Sequence, residues 1–448
     1  MRLRQFLILI AMFVVAPSAV AAPTAIVNVN VVPMTAEIVL GQQTVVVDDG
    51  VIVVLGSVDE VPIPKDATVI DGTDRFLMPG LAEMHAHVPD ANSPDLDRYF
   101  SLYVANGVTT IRGMLGLPSH LALRKQLHDG RVFGPRLVTS GPSLNGRSVT
   151  GVAQARQMVR DQHAAGYDFV KIHPGLTADE FIAIGETANE LGMPFAGHVP
   201  VAAGIARALQ LNMATIDHLD GYFVALLRAG SDGSGGYGGF FDVMLANELE
   251  AEKIREIARA TAAAGTWNVP TEVLIEARVD ATPQAELRNR PGMQYMPEAT
   301  VKRWVAAKEA LLAERDFDPE IAALAIKMRR QLILELHKAG AGLLLGSDSP
   351  QVFNVPGYSV HEELDTLVAS GLTPFEALRT GTVAVAEFLS GNAGAVAVGR
   401  DADLVLLDAN PLEDIRNARR IHGVVLKGAW HSADLLGKRL SRYKSSDE

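Results

Sequence analysis

His85 and His87 stand two residues apart, just after a short stretch, Leu81 to Met84, that is apolar except for Glu83. That composition predicts a buried strand. Along a strand, residues i and i+2 face the same way, so both imidazoles converge on one point. Two neutral imidazoles side by side suit a divalent metal, although the spacing alone also fits two unrelated polar residues at a strand end. Pro79-Gly80 ahead of them is a turn signal that launches the strand. Further along, His198, His218 and Asp348 each close an apolar stretch, and each is metal-competent. Lys171 is the exception in type. It follows Asp-Phe-Val inside an apolar stretch, Tyr167 to Ile172, where a lysine is costly unless paired or neutral. Burial lowers the pKa of an ammonium, and a neutral amine can react with carbon dioxide. The resulting carbamate is an anionic oxygen ligand able to bridge two metals. The alternative is a side chain that snorkels to solvent.

These residues need elements to hold them. From Pro79 onward the chain alternates strand and helix. Strands are predicted at Leu81–Met84, 107–112, 135–140, 167–172, 194–198, 214–218, 267–273 and 342–348, eight in all. A helix over 153–165 and a capping-box start at Thr177-Ala-Asp-Glu180 fit between them. Eight such repeats predict an α/β chain whose centre is a (β/α)8 TIM barrel, with polar residues at the strand C-termini facing the active site. An open doubly wound sheet would need a glycine-rich dinucleotide turn, and the sequence has none. Residues 24 to about 77 instead carry short β-branched runs, with Asp48-Asp-Gly50 and Leu55-Gly56 as hairpin signals. The runs 402–408 and 422–428 are β-like again. Residues 22–78 and 391–440 are therefore expected to form one small β-sandwich from both chain ends, with the barrel, 79–390, inserted between them. Two stretches break the rhythm. Residues 229–240 are Gly/Ser-rich, and 276–318 are long and charged. Either could cover the active face or join copies in a homo-oligomer. A solvated insertion is the other reading of the second.

With 448 residues and 48% hydrophobic content, the chain can bury a large core. A formal net charge of -12 argues against a nucleic-acid partner. Arg2 and Arg4, the apolar run Phe6 to Val15 and Ala19-Val20-Ala21 compose a signal peptide over 1–21, too short for a spanning helix. Cleavage there would move the charge from -12 to -14, leave no stable membrane anchor and give a periplasmic or secreted protein. There is no cysteine, so such an exported protein must rely on its core or on metal rather than on disulfides.

Taken together, these motifs resemble the amidohydrolase superfamily, in its imidazolonepropionase-like and Xaa-Pro dipeptidase-like branch. The resemblance rests on Pro79-Gly80-Leu81 with His85-Ala-His87, Phe169-Val-Lys-Ile172, Gly197-His-Val-Pro200, Ile216-Asp-His-Leu219 and Gly346-Ser-Asp348. It extends through Leu372-Thr-Pro-Phe-Glu-Ala-Leu378, Gly399-Arg-Asp-Ala-Asp-Leu404 and Asn410-Pro-Leu-Glu-Asp-Ile415. It implies two divalent metal ions, most readily Zn2+. His85, His87 and Asp348 would bind one, His198 and His218 the other, with carboxylated Lys171 and a hydroxide bridging them. Asp348 would be the catalytic residue, taking the proton of the attacking hydroxide and passing it to the leaving nitrogen. Mononuclear members lack the lysine, so Lys171 points to a binuclear hydrolase.

Three further residues could touch a small-molecule substrate. His173 can share the face of Lys171, Tyr222 follows His218 closely, and Arg112 ends the second strand, where a structural salt bridge is the competing role. His361, Glu362 and Glu363 are expected on the surface. The other histidines, in helices or tail strands, are assigned no role. The resulting expectation is an exported amidohydrolase cleaving an amide or peptide C–N bond, such as that of a dipeptide or N-acyl amino acid. A cyclic amide, lactone or ester hydrolase would use the same site. A catalytically silent binding protein is the reading from another class, and the intact ligand set argues against it.

Overall fold

The computed structural model of the protein describes residues 22–231 and 240–444. The expected signal peptide and most of the Gly/Ser-rich stretch lie outside those residues. Both chain ends share one sheet. β1 (Thr24–Val31), β2 (Leu40–Asp48), β3 (Val51–Ser57), β4 (Thr68–Asp71) and β5 (Phe76–Pro79) come from the N-terminal part. A central set follows: β6 (Leu81–Ala86), β7 (Val108–Gly113), β8 (Arg136–Thr139), β9 (Val170–Ile172), β10 (Phe195–Gly197), β11 (Thr215–Asp217) and β12 (Trp267–Val269). β13 (Leu404–Leu407), β14 (Ile421–Leu426) and β15 (Ala429–Ser432) return to the first sheet. Its order is β15-β14-β13-β5-β1-β2-β3, with β4 beside β1. The join is the antiparallel β5–β13 pair, in which Leu77 faces Leu406.

The central strands pair in parallel, as β6-β7-β8 and β9-β10-β11-β12. Bridges tie the edges of these two sheets together at Ser140–Phe169 and Leu144–Ile172. Residues 342–349 run between β12 and β6, where Leu344 N–H donates to Asn268 O (2.9 Å) and Met84 N–H to Leu345 O (2.8 Å). β6 is buried along its whole length, as a parallel strand covered on both faces must be.

Several sequence expectations need correction. The eighth strand is not continuous. It is made of two single bridges, Asn268–Leu343 and Ala86–Ser349, because the chain turns into the left-handed region at Asp348 (φ 60°). The seventh stops at Val269, and Val273 already belongs to the helix Glu272–Val279. Gly56 lies inside β3 rather than in a turn. β4 and β5 are too short and irregular in pattern to be foreseen. The 276–318 stretch is not a solvated insertion. Leu287, Met293, Met296, Val301 and Trp304 pack with Tyr99, Leu102 and Phe353 in a core of their own. Lys308 is fully buried there and donates to Ala277 O and Asp280 Oδ1, each at 2.8 Å.

Candidate metal centre and active site

The C-terminal ends of the parallel strands converge on a cavity of about 270 Å³. Six of the expected residues line it: His85, His87, His173, His198, His218 and Asp348. His87 Nε2 lies 2.7 Å from Asp348 Oδ1, and His85 Nε2 lies 3.6 Å from the same oxygen. The ring centroids of His85 and His218 are 4.4 Å apart, and those of His198 and His218 are 4.7 Å apart. His85, His87 and Asp348 bring one ligand atom each to within 4.8 Å of one another, a grouping that could hold a metal ion.

Lys171 sits just below, completely buried, so it does not snorkel to water. Two features make room for it. β9 points it inward, and Gly197 on β10 lies against its stem. A Cβ at Gly197 would come within 2.8 Å of Lys171 Cδ and 2.5 Å of Ile172 O, and its φ of 120° suits glycine. Gly346 has a similar duty, since a Cβ there would reach 2.5 Å from Val269 Cγ1 and 2.9 Å from His85 N.

A layer of partners orients the imidazoles. His198 Nδ1 donates to Asp220 Oδ2 (2.7 Å), and His218 Nδ1 pairs with Thr271 Oγ1 (2.8 Å). Fixing one ring nitrogen in this way leaves Nε2 for a ligand. Asp217 Oδ2 lies 3.1 Å from His85 Nδ1 and 3.7 Å from Lys171 Nζ. Glu83 accepts the N–H groups of His85 (2.8 Å) and Ser347 (2.9 Å) and the Ser347 hydroxyl. His218, Thr271 and Asp348 all have positive φ, at 62°, 49° and 60°. Non-glycine residues held there cost on the order of 1–3 kcal/mol each, and such strain clusters at functional sites.

Burial sets the electrostatics. It holds the His85 and His218 imidazoles well below their usual range, and the charge of Lys171 adds to the effect at His85. His173 falls to about 2 for the same reason, burial first and then Lys171. Burial also lowers Lys171 itself, partly opposed by Asp217, which shifts its balance toward the neutral amine. Glu83 is pushed up to about 7 by desolvation. Around this cavity His85 Nδ1, Lys171 Nζ, His173 Nδ1, Asp217 Oδ2 and Asp348 Oδ1 are buried without an aligned hydrogen-bond partner. Buried polar atoms in native proteins are normally satisfied. A cluster of orphaned donors and acceptors of these types fits divalent metal ions.

Two expected substrate residues are placed elsewhere. Tyr222 is turned into the core, where its hydroxyl donates to Asn268 Oδ1 (2.7 Å) and pairs with Thr261 Oγ1 (3.0 Å). Arg112 is buried below the site. It donates to Met84 O (2.7 Å) and to Asp217 Oδ1 (3.3 Å), between the rings of Phe169 and Phe388. That is the structural salt bridge, not a substrate contact. His361 and Glu363 are not on the surface. His361 Nε2 donates to Asn106 O (3.0 Å), and Glu363 accepts from the N–H groups of Glu272 and Val273. Sequence reading passed over Asp217, Asp220, Thr271, Phe241, Leu274, Arg278 and Gln351. Asp217 and Asp220 lie one residue before and two after His218, which is the signal that could have found them.

The amidohydrolase family model matches residues 76–430 of the chain. The ochratoxinase of Aspergillus niger is 23% identical over 418 residues, covering 84% of this chain and 79% of that protein. Among solved structures, a bottromycin amidohydrolase superposes with a TM-score of 0.71 at 22% identity, covering 94% of this chain and 90% of the other. A Xaa-Pro dipeptidase with bound methionine in its active site superposes with a TM-score of 0.65 at 18% identity, covering 92% and 100%. At these identities the structural likeness is one of fold, a TIM-barrel-like α/β architecture.

Proposed function

This chain belongs to the amidohydrolase family and is a hydrolase of amide C–N bonds, and from that premise we propose that it is an exported, binuclear metal-dependent enzyme for dipeptide-like or N-acyl amino acid substrates. The observation that carries the binuclear reading is the buried Lys171, whose Nζ makes no hydrogen bond and lies beside a cavity that collects five histidines and Asp348. His85, His87 and Asp348 would hold one ion, His198 and His218 the second, and carboxylated Lys171 would bridge them. Zinc suits this donor set. When bound, the ions supply Lewis acidity and lower the pKa of water. The chain's own part is orientation and proton transfer. Asp220 and Thr271 set the His198 and His218 rings, and Asp217 and Arg112 brace His85 and Lys171 from below. Asp348 Oδ1 faces the cavity and would take a proton from the attacking water and deliver it to the leaving nitrogen. The named activities of the relatives, an ochratoxinase, an amidohydrolase and a dipeptidase, support an amide over a lactone or ester.

The same reading extends to architecture. The bridges that join the two parallel sheets directly, and through residues 342–349, support one closed eight-stranded barrel over 79–390. Ile26, Val45 and Leu404, packed in one core, support a sandwich-like unit from 22–78 and 391–440. One preparation tests the proposal. Metal content per chain is measured after purification with zinc and bicarbonate, for the wild type and Lys171→Ala. Two ions falling to one or none in the variant are expected, and one ion in both proteins would sink the binuclear reading. The mature mass tests export, with Ala22 expected as the first residue. A panel of N-acyl amino acids and dipeptides tests the activity, and no hydrolysis across it by the metal-loaded enzyme would overturn the substrate class.

A further inference from the structure

A second cavity of about 1140 Å³ opens beside the first, and the two share His198 and Phe241 as common walls. Its lining is largely apolar, with Leu176, Val199, Ile205 and Val224 on its walls and the exposed Val201 at its edge. The Phe241 ring stacks on His198, with centroids 5.9 Å apart and planes 11° apart, and lies 4.8 Å from His218. Phe241 and Asp242 are consecutive residues in the left-handed region, with φ of 50° and 59°. That turn sets an aromatic wall between the two spaces. Beyond these two walls the smaller space is lined mainly by polar groups, including Arg278, Gln351 and Asp348, with Leu274 as its apolar member.

We propose that the larger cavity seats a bulky apolar group flanking the scissile amide of the substrate, and that it sets the enzyme's preference for aromatic or long aliphatic amides over small ones. The inference rests on the amide-hydrolase reading and deepens it. Continuity is the first reason, because a substrate whose amide lies at the histidines enters this space when it extends past His198 and Phe241. Capacity is the second, since pockets for drug-sized ligands run from roughly 300 to 1,000 Å³ and are mainly apolar. Charge is the third. The carboxylates among the lining residues, Asp220 and Asp242, would repel an anionic group, and the largely apolar walls favour a neutral group over a cationic one.

The test compares N-acetylglycine, N-(2-naphthoyl)glycine and N-acetyl-2-naphthylalanine as substrates of the metal-loaded wild type and of Val224→Trp and Ala202→Trp, two positions on the lining of the larger cavity. The wild type is expected to favour one of the naphthyl amides over N-acetylglycine in kcat/KM by about tenfold or more, the scale on which apolar pockets discriminate. Either tryptophan should cut that ratio about tenfold, chiefly through KM. Binding of the neutral fluorophore N-phenyl-1-naphthylamine, read on the same proteins, should weaken in parallel. The second variant, at an exposed loop position, guards against misfolding of the first. A naphthyl preference untouched by both tryptophans, or no preference at all, overturns the inference while leaving amide hydrolysis standing. No hydrolysis of any of the three amides, with fluorophore binding that the tryptophans do not weaken, overturns it as well. Failure of the wider amide panel with tryptophan-sensitive fluorophore binding defeats the amide reading, and the substrate role with it.

Discussion

At the scale of single residues, the site is a set of buried groups held in unfavourable surroundings by a second set. Asp220 shows the dependence most directly. Its carboxylate fixes the tautomer of His198 across 2.7 Å. Removing such a partner typically weakens metal binding by about 10–100-fold while leaving the ligand itself in place. Asp220→Ala is therefore expected to lower the affinity for one of two ions by that factor, as read by metal titration. An unchanged affinity would mean that His198 is not a ligand. Asp217 is the more deeply committed residue, since Arg112 and Lys171 both lean on it from within the core. The ligand candidates were legible because histidine spacing and strand periodicity are local. Asp217 and Asp220 were not, because their role depends on which faces of two neighbouring strands come together.

Among the elements, the short helix Glu272–Val279 matters most. It carries Leu274 and Arg278 into the cavity lined by the histidines. No side chain of its own caps its start. Glu363, from the helix Tyr358–Ala369, accepts the N–H groups of Glu272 (3.0 Å) and Val273 (2.7 Å) instead. Arg329, from the helix Pro319–Ala339, pairs with Glu272 and donates to His218 O (2.9 Å). Three elements far apart in sequence thus set one wall of the site. Glu363→Ala would leave two buried donors unsatisfied, each worth on the order of 1–3 kcal/mol. A loss of about 2 kcal/mol or more in urea denaturation is expected, and a loss below about 0.5 kcal/mol would mean that water replaces the cap. The sequence placed His361-Glu-Glu363 on the surface because three polar residues at a helix start usually are. The burial comes from packing against Asn106 and Arg419, which no local pattern announces.

On the scale of the whole molecule, buried titratable groups couple stability to pH. His361 is almost fully buried and donates to Asn106 O, and burial, with Arg419 beside it, lowers its pKa from 6.5 to about 4. In that interval the unfolded chain binds a proton that the folded chain does not. Stability therefore falls as pH drops from about 6.5 to about 4, by up to about 3 kcal/mol from this residue. Denaturation of the metal-free protein across that range should show a smaller slope for His361→Gln than for the wild type. Equal slopes would assign the acid sensitivity elsewhere. Closure of the fold is also a property of the whole chain. β5 and β13, more than 300 residues apart, are neighbours in one sheet, so the C-terminal strands complete the N-terminal ones.

Local chemistry determined what could be known from the sequence alone: the alternation of strand and helix, the β character of both ends, the family resemblance, and the histidines, lysine and aspartate of the candidate site. The elements and the histidine pair depend on residue type and spacing over fewer than a dozen positions, where backbone geometry dictates which side chains share a face, and the family resemblance draws on short motifs spread from Pro79 to Ile415. Tertiary structure decided the rest. It turned Tyr222 into the core, made Arg112 a brace, folded 276–318 into a packed unit and broke the last strand at Asp348. It also opened an apolar space past His198. These outcomes depend on volume and on hydrogen-bond satisfaction between segments tens to hundreds of residues apart, and those are settled only when the whole chain packs.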